Sequence, residues 1–226
     1  MLIVVEGPDM SGKSTIAKKL YEKMVGLYGE DKVILTREPG GSETGEAIRG
    51  VLAAGLDMGD KCELLLFEAA RAEFVRKVLK PHLEEDKIVI TDRFFHSTIA
   101  YQGFGRELGC EMINELNLYA LDDIGKYKNV TLINMLTLEE ADTRSDRNKD
   151  EDVGGFDKAG REIKERIFDG YGVMAHDISV LHQGYKSDNV HRINAALPPN
   201  DHFNQVVDIL RPYVDVWSSE RGLPGI

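Results

Sequence analysis

Gly7-Pro8-Asp9-Met10-Ser11-Gly12-Lys13-Ser14 lies between an apolar run, Leu2 to Val5, and a segment whose residues Ile16, Leu20, Met24 and Leu27 recur on one helical face. The stretch matches G-x-x-x-x-G-K-[ST], a glycine-rich loop that joins a strand to a helix and holds phosphate. Gly7 and Gly12 permit the tight backbone path on which N–H groups converge on phosphate oxygens, and the following helix adds its positive N-terminal end. In such a loop Lys13 neutralises β and γ phosphates and the Ser14 hydroxyl ligates Mg²⁺. The segment from Gly7 through Pro8, Asp9, Met10, Ser11, Gly12, Lys13 and Ser14 to Thr15 therefore reads as the binding site for the phosphates of a nucleoside triphosphate. A plain glycine turn with an exposed lysine would not require this spacing.

Working outward, β-branched apolar runs occur at Leu2 to Val5, Val33 to Thr36, Ile88 to Thr91, Val130 to Met135 and Val190 to Ile193. They are nearly continuous instead of alternating, which predicts a five-stranded parallel sheet with helices on both faces. Phe67, Arg71, Phe74 and Val78 share a second helical face. The order βαβαβαβαβα implies right-handed crossovers and a ligand site beyond the carboxyl ends of the strands. We expect one α/β domain over residues 1–217, a polar lid loop over about 144–161 and a loose tail over 218–226.

The 226 residues include 42% hydrophobic and 30% charged residues, with no apolar stretch near the roughly 18 residues of a membrane span. Met1 runs directly into Leu2 to Val5 without a basic region or cleavage site, so the start reads as a strand and not as a signal peptide. Lys plus Arg is 28 and Asp plus Glu is 39, a net charge of −11, which argues against a nucleic-acid partner and leaves room for a small phosphorylated ligand. Cys62 and Cys110 form no disulfide framework and no zinc spacing, as expected of reduced, buried thiols in a cytoplasmic protein. A GTPase would carry N-K-x-D near the fourth strand, and none follows Val130 to Met135.

The third strand continues Asp92-Arg93-Phe94-Phe95-His96-Ser97-Thr98-Ile99-Ala100-Tyr101-Gln102-Gly103. Here the sequence resembles the thymidylate kinase family, in which D-R-[YFH]-x-x-S-T-x-A-Y-Q-G follows the third strand. The likeness extends to Glu6-Gly7 through Ser14-Thr15, Thr36-Arg37-Glu38-Pro39-Gly40-Gly41, Ile48-Arg49 and Leu65-Leu66-Phe67-Glu68-Ala69-Ala70-Arg71, in family order across residues 1–103. The resemblance implies a three-layer P-loop NTPase fold, ATP as donor, dTMP as acceptor, Mg²⁺ and a homodimer.

It also implies site residues. Phe67 stacks on a pyrimidine while Arg71, four residues on, donates to its O4. Thr98 and Gln102 match positions that contact thymine, and Tyr101 matches a tyrosine against the sugar. Arg49 and Arg93 match arginines for the acceptor phosphate, which suits their fork geometry. Asp9 matches an acidic position near the acceptor, Asp92 a carboxylate that holds Mg²⁺ through water, and Glu38-Pro39 a cis peptide beside the pocket.

No catalytic base is required, because a nucleoside monophosphate already carries about −1.5 to −2 charge near neutral pH. Charge neutralisation dominates, and an arginine finger is typically worth about 10³ to 10⁵ in rate. One branch of the family places that arginine in the phosphate loop, where this chain has Met10; the other uses a lid. Arg147 is the best lid match, with Arg144, Lys149, Lys158 and Arg161 nearby, and Asp146, Asp150, Glu151 and Asp152 interspersed. The catalytic set implied is Lys13, Asp9, Arg93 and Arg147. Met135 and Leu138 replace a familiar aspartate and proline, and Phe168 stands where an arginine is frequent. Two alternatives stay open: a broader deoxynucleoside monophosphate kinase, and a non-catalytic nucleotide-binding regulatory module.

Overall fold

The computed structural model describes residues 1–147, 160–176 and 189–226. All five apolar runs are strands, each extended by one residue: β1 (Leu2–Glu6), β2 (Val33–Arg37), β3 (Ile88–Asp92), β4 (Asn129–Met135) and β5 (Val190–Asn194). They form one parallel sheet in the order β2-β3-β1-β4-β5. The register sets Val5 beside Asp92 and Leu132, and Arg37 beside Asp92. The chain therefore leaves β1, β2 and β3 at one level, which brings the loops after these strands together.

Helix α1 (Lys13–Tyr28) follows β1; α2 (Glu43–Ala53), α3 (Asp60–Phe74) and α4 (Lys80–Glu84) lie between β2 and β3. A π-helical turn, Val75–Leu79, joins α3 to α4. After β3, α5 (Phe95–Thr98) runs into a π-helical stretch, Ile99–Gly105, and α6 (Cys110–Leu121) leads to β4. Helices α7 (Leu138–Arg147) and α8 (Arg161–His176) precede β5, and α9 (Pro199–Ser219) follows it.

The alternation of strand side chains feeds two cores. Leu2, Val4, Val89, Ile133 and Met135 face one side, covered by Phe74, Leu79, Phe95, Ile99, Ile113, Ile167 and Tyr171. Ile3, Val5, Ile88, Ile90, Val130 and Leu132 face the other, covered by Ile16, Leu20 and Met24 of α1 and by Val206, Leu210, Val214 and Trp217 of α9. Each fully buried Leu, Ile or Val contributes about 1.5 to 3 kcal/mol relative to exposure.

Three expectations change. The lid is not a loop from residue 144, since α7 continues to Arg147 and α8 begins at Arg161. A capping box starts α7: Glu140 N donates to Thr137 Oγ1 and Thr137 N to Glu140 Oε2, at 3.2 and 2.8 Å. The tail folds back. Tyr28 Oη donates to Pro224 O at 3.0 Å, Ile226 N to Asp215 Oδ1 at 2.8 Å, and Leu223 and Ile226 pack on the α1–α9 core. Cys62 is exposed, because Leu64, Glu68 and Arg71 form the inward face of α3, and Cys110 is half-buried. Among the described residues no helix is long and apolar enough to cross a membrane.

Candidate active site

The loop after β1 is held from beneath. Asn134 Nδ2 donates to Glu6 O at 3.0 Å, and Asn134 Oδ1 pairs with His202 Nε2 at 2.7 Å. Gly7 has φ 142°, and a Cβ there would lie 2.4 Å from Asn134 O, so no larger residue fits. Gly12 (φ 79°) caps α1 without a side-chain hydrogen bond, and the first turn carries no acidic residue. The N–H groups of that turn are therefore available to an anion, with the helix dipole behind them. Lys13 curls over the loop, its Nζ donating to Pro8 O at 3.4 Å and Asp9 Oδ1 at 3.3 Å. Burial and the Arg93 charge lower its pKa.

Ser14 Oγ donates to Asp92 Oδ2 at 2.5 Å, joining the first turn of α1 to the end of β3. Asp92 Oδ1 is buried with no hydrogen-bond partner among the described residues. One hydroxyl and one unsatisfied carboxylate oxygen suit Mg²⁺, which usually takes one or two carboxylates and leaves other positions to substrate phosphates and water. Among the described residues no cluster of three or more His, Cys, Asp or Glu converges on a metal position.

Arg93, at φ 72°, turns back from β3 towards the phosphate loop. Its Nη1 donates to Gly7 O at 3.4 Å, Ser97 Oγ at 3.1 Å and Tyr171 Oη at 3.2 Å; its Nη2 donates to Tyr101 Oη at 3.1 Å and to the Asp9 carboxylate. Tyr101 Oη in turn donates to Asp9 Oδ2 at 2.8 Å. Burial works against the Asp9 charge, but Arg93 and Lys13 outweigh it and hold the carboxyl at about 2, below its ordinary 3.8. Asp9 is thus ionised across the whole neutral range.

Glu6 is a site residue that the sequence reading quoted but gave no role. Fully buried, it accepts from Phe94 N at 2.6 Å, Ser97 N at 3.1 Å, Ser97 Oγ at 2.8 Å and Tyr171 Oη at 3.0 Å. Burial raises its pKa, opposed chiefly by Arg93. The carboxylate fixes the first turn after β3 and two of the Arg93 partners. An acidic residue as the last member of an otherwise apolar buried strand was the signal for it.

A cavity of about 380 Å³ opens between α2, α3 and the helical stretch after β3. Phe67, Arg71, Thr98 and Gln102 line its inner part, and Arg49, Arg93 and Tyr101 line it too, so the fold gathers every acceptor residue expected from the sequence. Asp9 lines it as well, which makes the cavity continuous with the phosphate loop. The Glu38-Pro39 bond is cis, and Arg49 Nη1 donates to Pro39 O at 3.0 Å.

Two features of this cavity were not legible. Arg71 is buried, and every guanidinium N–H meets a protein oxygen: Nε and Nη2 reach Glu38 Oε2 at 3.2 and 3.3 Å, Nη1 reaches Glu68 Oε1 and Asn117 Oδ1 at 2.7 Å each, and Nη2 also reaches Thr98 Oγ1 at 2.8 Å. A base carbonyl would have to share this fork with Thr98 or Asn117. Burial raises Glu38 from 4.5 to about 7, against the opposing charge of Arg71. Gln102 sits in π-helical backbone, not in a regular helix, and its Nε2 donates to Glu63 Oε1 at 2.9 Å. Gly105 allows that wide turn to approach α8, since a Cβ there would meet Ile167 at 2.9 Å.

On the lid side, Met10 and Phe168 pack with Leu136, Ala141 and Ala195. Arg144 lies in α7 and donates to Met10 O at 3.0 Å and Ala195 O at 2.6 Å, so it supports the loop backbone. Arg161 donates to Glu165 Oε1 at 2.9 Å. The Arg147 side chain and all of Lys149, Asp150, Glu151, Asp152 and Lys158 lie outside the described residues.

A family model described as Thymidylate kinase matches residues 5–171. The chain is 42% identical over 171 residues to the thymidylate kinase of Ehrlichia ruminantium (strain Gardel), covering 76% of this chain and 80% of that protein. It is 35% identical over 217 residues to that of Finegoldia magna, covering 93% and 98%. The crystal structure of thymidylate kinase from Ehrlichia chaffeensis superposes with a TM-score of 0.73 at 33% identity, covering 93% of this chain and 97% of that one. The sheet is accordingly that of a P-loop NTPase. The matched span takes in both the loop after β1 and the Asp92–Gly103 segment, and the relatives are covered over most of their length, so this chain belongs to the thymidylate kinase family.

Proposed function

We propose that the chain transfers the γ-phosphoryl group of ATP to dTMP, giving dTDP and ADP. The observation that carries this reading is that Asp9 of the phosphate loop and Arg93 at the end of β3 both line the acceptor cavity, joined by a direct ion pair. A monophosphate in the cavity is thereby brought against a triphosphate on the loop, the arrangement in-line transfer needs.

In this reading the backbone from Gly7 to Thr15 and the α1 N-terminus hold the donor phosphates, and Lys13 swings from Pro8 and Asp9 to neutralise them. Ser14 and Asp92 would hold Mg²⁺, which would supply positive charge to the donor phosphates. Arg49 and Arg93 grip the acceptor phosphate, Asp9 and Tyr101 orient Arg93, and Arg147 brings charge from the lid. Phe67, Thr98 and Gln102 enclose the base, and Arg71 positions Thr98 and Glu38 around it. An acceptor oxygen forms the new bond to the γ phosphorus while the bond to the bridging oxygen breaks, its electron pair leaving on ADP.

The full occupation of Arg71 favours one second reading, a kinase that tolerates several pyrimidine monophosphates, since a donor already shared discriminates less between bases. We also propose a cytoplasmic homodimer. Its support is that Leu65 of α3 and Tyr119 of α6, on helices that pack together, are 57% and 88% exposed.

The test is incubation of the purified protein with MgATP and dTMP, followed by chromatographic detection of dTDP and ADP. Formation of both, lost in a folded Lys13→Ala variant, supports the proposal. ATP binding without either product would favour the regulatory module.

A further inference from the structure

A narrow cleft of about 30 Å³ lies where α7 and α8 meet the phosphate loop, apart from the larger acceptor cavity. Its loop wall is Pro8, Asp9 and Met10, its far wall Lys164 and Phe168 of α8. Tyr101 lines both spaces, so the cleft meets the acceptor cavity at the point where donor and acceptor phosphates would approach.

Met10 and Phe168 make this cleft apolar, and Asp9 adds a carboxylate that stays ionised. Phosphoryl transfer spreads negative charge over the equatorial oxygens of the moving group, which a cation beside them stabilises. Among the described cations flanking the lid, Arg144 is committed to Met10 O and Ala195 O, Arg161 to Glu165, and Arg166 to Gly105 O at 2.9 Å. Lys164 alone among the described cations lines the cleft, and its ion pair with Asp142 Oδ1 is long, at 3.8 Å. Lys164 and Phe168 are four residues apart on α8, so they share the face turned to the loop. A lysine stem of four carbons lying beside Phe168 lets the ammonium exchange Asp142 for a phosphate without moving the helix.

We propose that Lys164, which faces Asp9 and Met10 across this cleft, supplies a transition-state cation to the transferring phosphoryl group. The inference rests on the kinase reading above. Lys164 acts from the first turns of α8.

The test compares wild type with Lys164→Ala and Lys164→Arg by steady-state kinetics. Affinity for ADP, dTMP and aluminium fluoride together is measured by calorimetry, and folding is checked by thermal midpoint. A lysine offers a point charge without the bidentate fork, so its loss should cost about a hundredfold in kcat, less than an arginine finger commonly does. KM for dTMP and ATP should stay within about threefold, because the charge is engaged mainly in the transition state. Affinity for the transition-state mimic should fall by a similar hundredfold, and Lys164→Arg should restore most of the rate. A merely structural role would lower the thermal midpoint and both KM values without selective loss of the mimic. An active wild type with unchanged kcat in folded Lys164→Ala overturns this inference and leaves the kinase reading standing. An inactive wild type overturns both.

Discussion

Arg93 donates through Nη2 to the carboxylate of Asp9, 84 residues earlier in the chain, and so ties the end of β3 to the middle of the phosphate loop. The guanidinium also lies 5.0 Å from the centre of the Tyr101 ring. One side chain thereby links the phosphate loop to the cavity beside it.

Replacing that side chain with lysine keeps the charge but removes the fork that reaches Gly7, Ser97, Tyr101 and Tyr171 together. Arg93→Lys should lower kcat/KM for dTMP at least about a hundredfold, the scale of a small misplacement of reacting groups. KM for ATP should change less than about threefold. Equal loss for both substrates would place Arg93 in the donor site instead.

Arg71 pairs with two buried carboxyl groups, Glu38 and Glu68, at 3.0 and 2.7 Å. Its removal leaves uncompensated buried charge, so Arg71→Gln should destabilise the fold by about 3 to 5 kcal/mol in urea unfolding. Adding Glu68→Gln should recover part of that loss, because one orphaned charge goes with it. A double variant as unstable as the sum of the two single ones would dissolve the proposed coupling.

Glu38 gives a pH signature. Its folded pKa of about 7 lies above the ordinary 4.5, so between these values the folded chain holds a proton there that the unfolded chain has lost. Stability from this group is full below about pH 4.5 and is lost as pH rises through about 7, a change on the order of 3 kcal/mol. The wild type should therefore lose stability relative to Glu38→Gln between pH 5 and about 7.5, followed by urea midpoints. Parallel profiles for the two proteins would mean that Arg71 keeps Glu38 ionised throughout.

Much of this was readable in the sequence because it depends on local pattern. Parallel strands covered on both faces are continuous apolar runs, and the phosphate loop carries its backbone requirement in Gly7 and Gly12. The residues expected to hold the acceptor were named by likeness to a family, and the fold brings them to one cavity. What escaped was set by tertiary partners. The network around Arg71 joins residues 33 and 46 positions away, and no spacing rule marks such pairs. The π-helical stretch after Thr98 depends on how closely α8 can approach Gly105. The capping box at Thr137 and Glu140 was present in the sequence, but the charged run after it read as loop. Lys164 went unnoticed because, in one dimension, it is one more charge in a polar segment.

The claim on which the account depends is that this cavity selects thymidylate as acceptor. The most direct measurement is kcat/KM for dTMP, dUMP and dCMP at saturating MgATP, read as ADP release and checked by product chromatography. Cytosine presents an amino donor where thymine presents O4, and against the Arg71 fork that buried amino group finds no acceptor, at a cost of about 1 to 3 kcal/mol. dTMP should be preferred over dCMP by at least about tenfold, with dUMP between them because it lacks only the methyl group. Equal use of dTMP and dCMP, or no ADP release with dTMP, would contradict it.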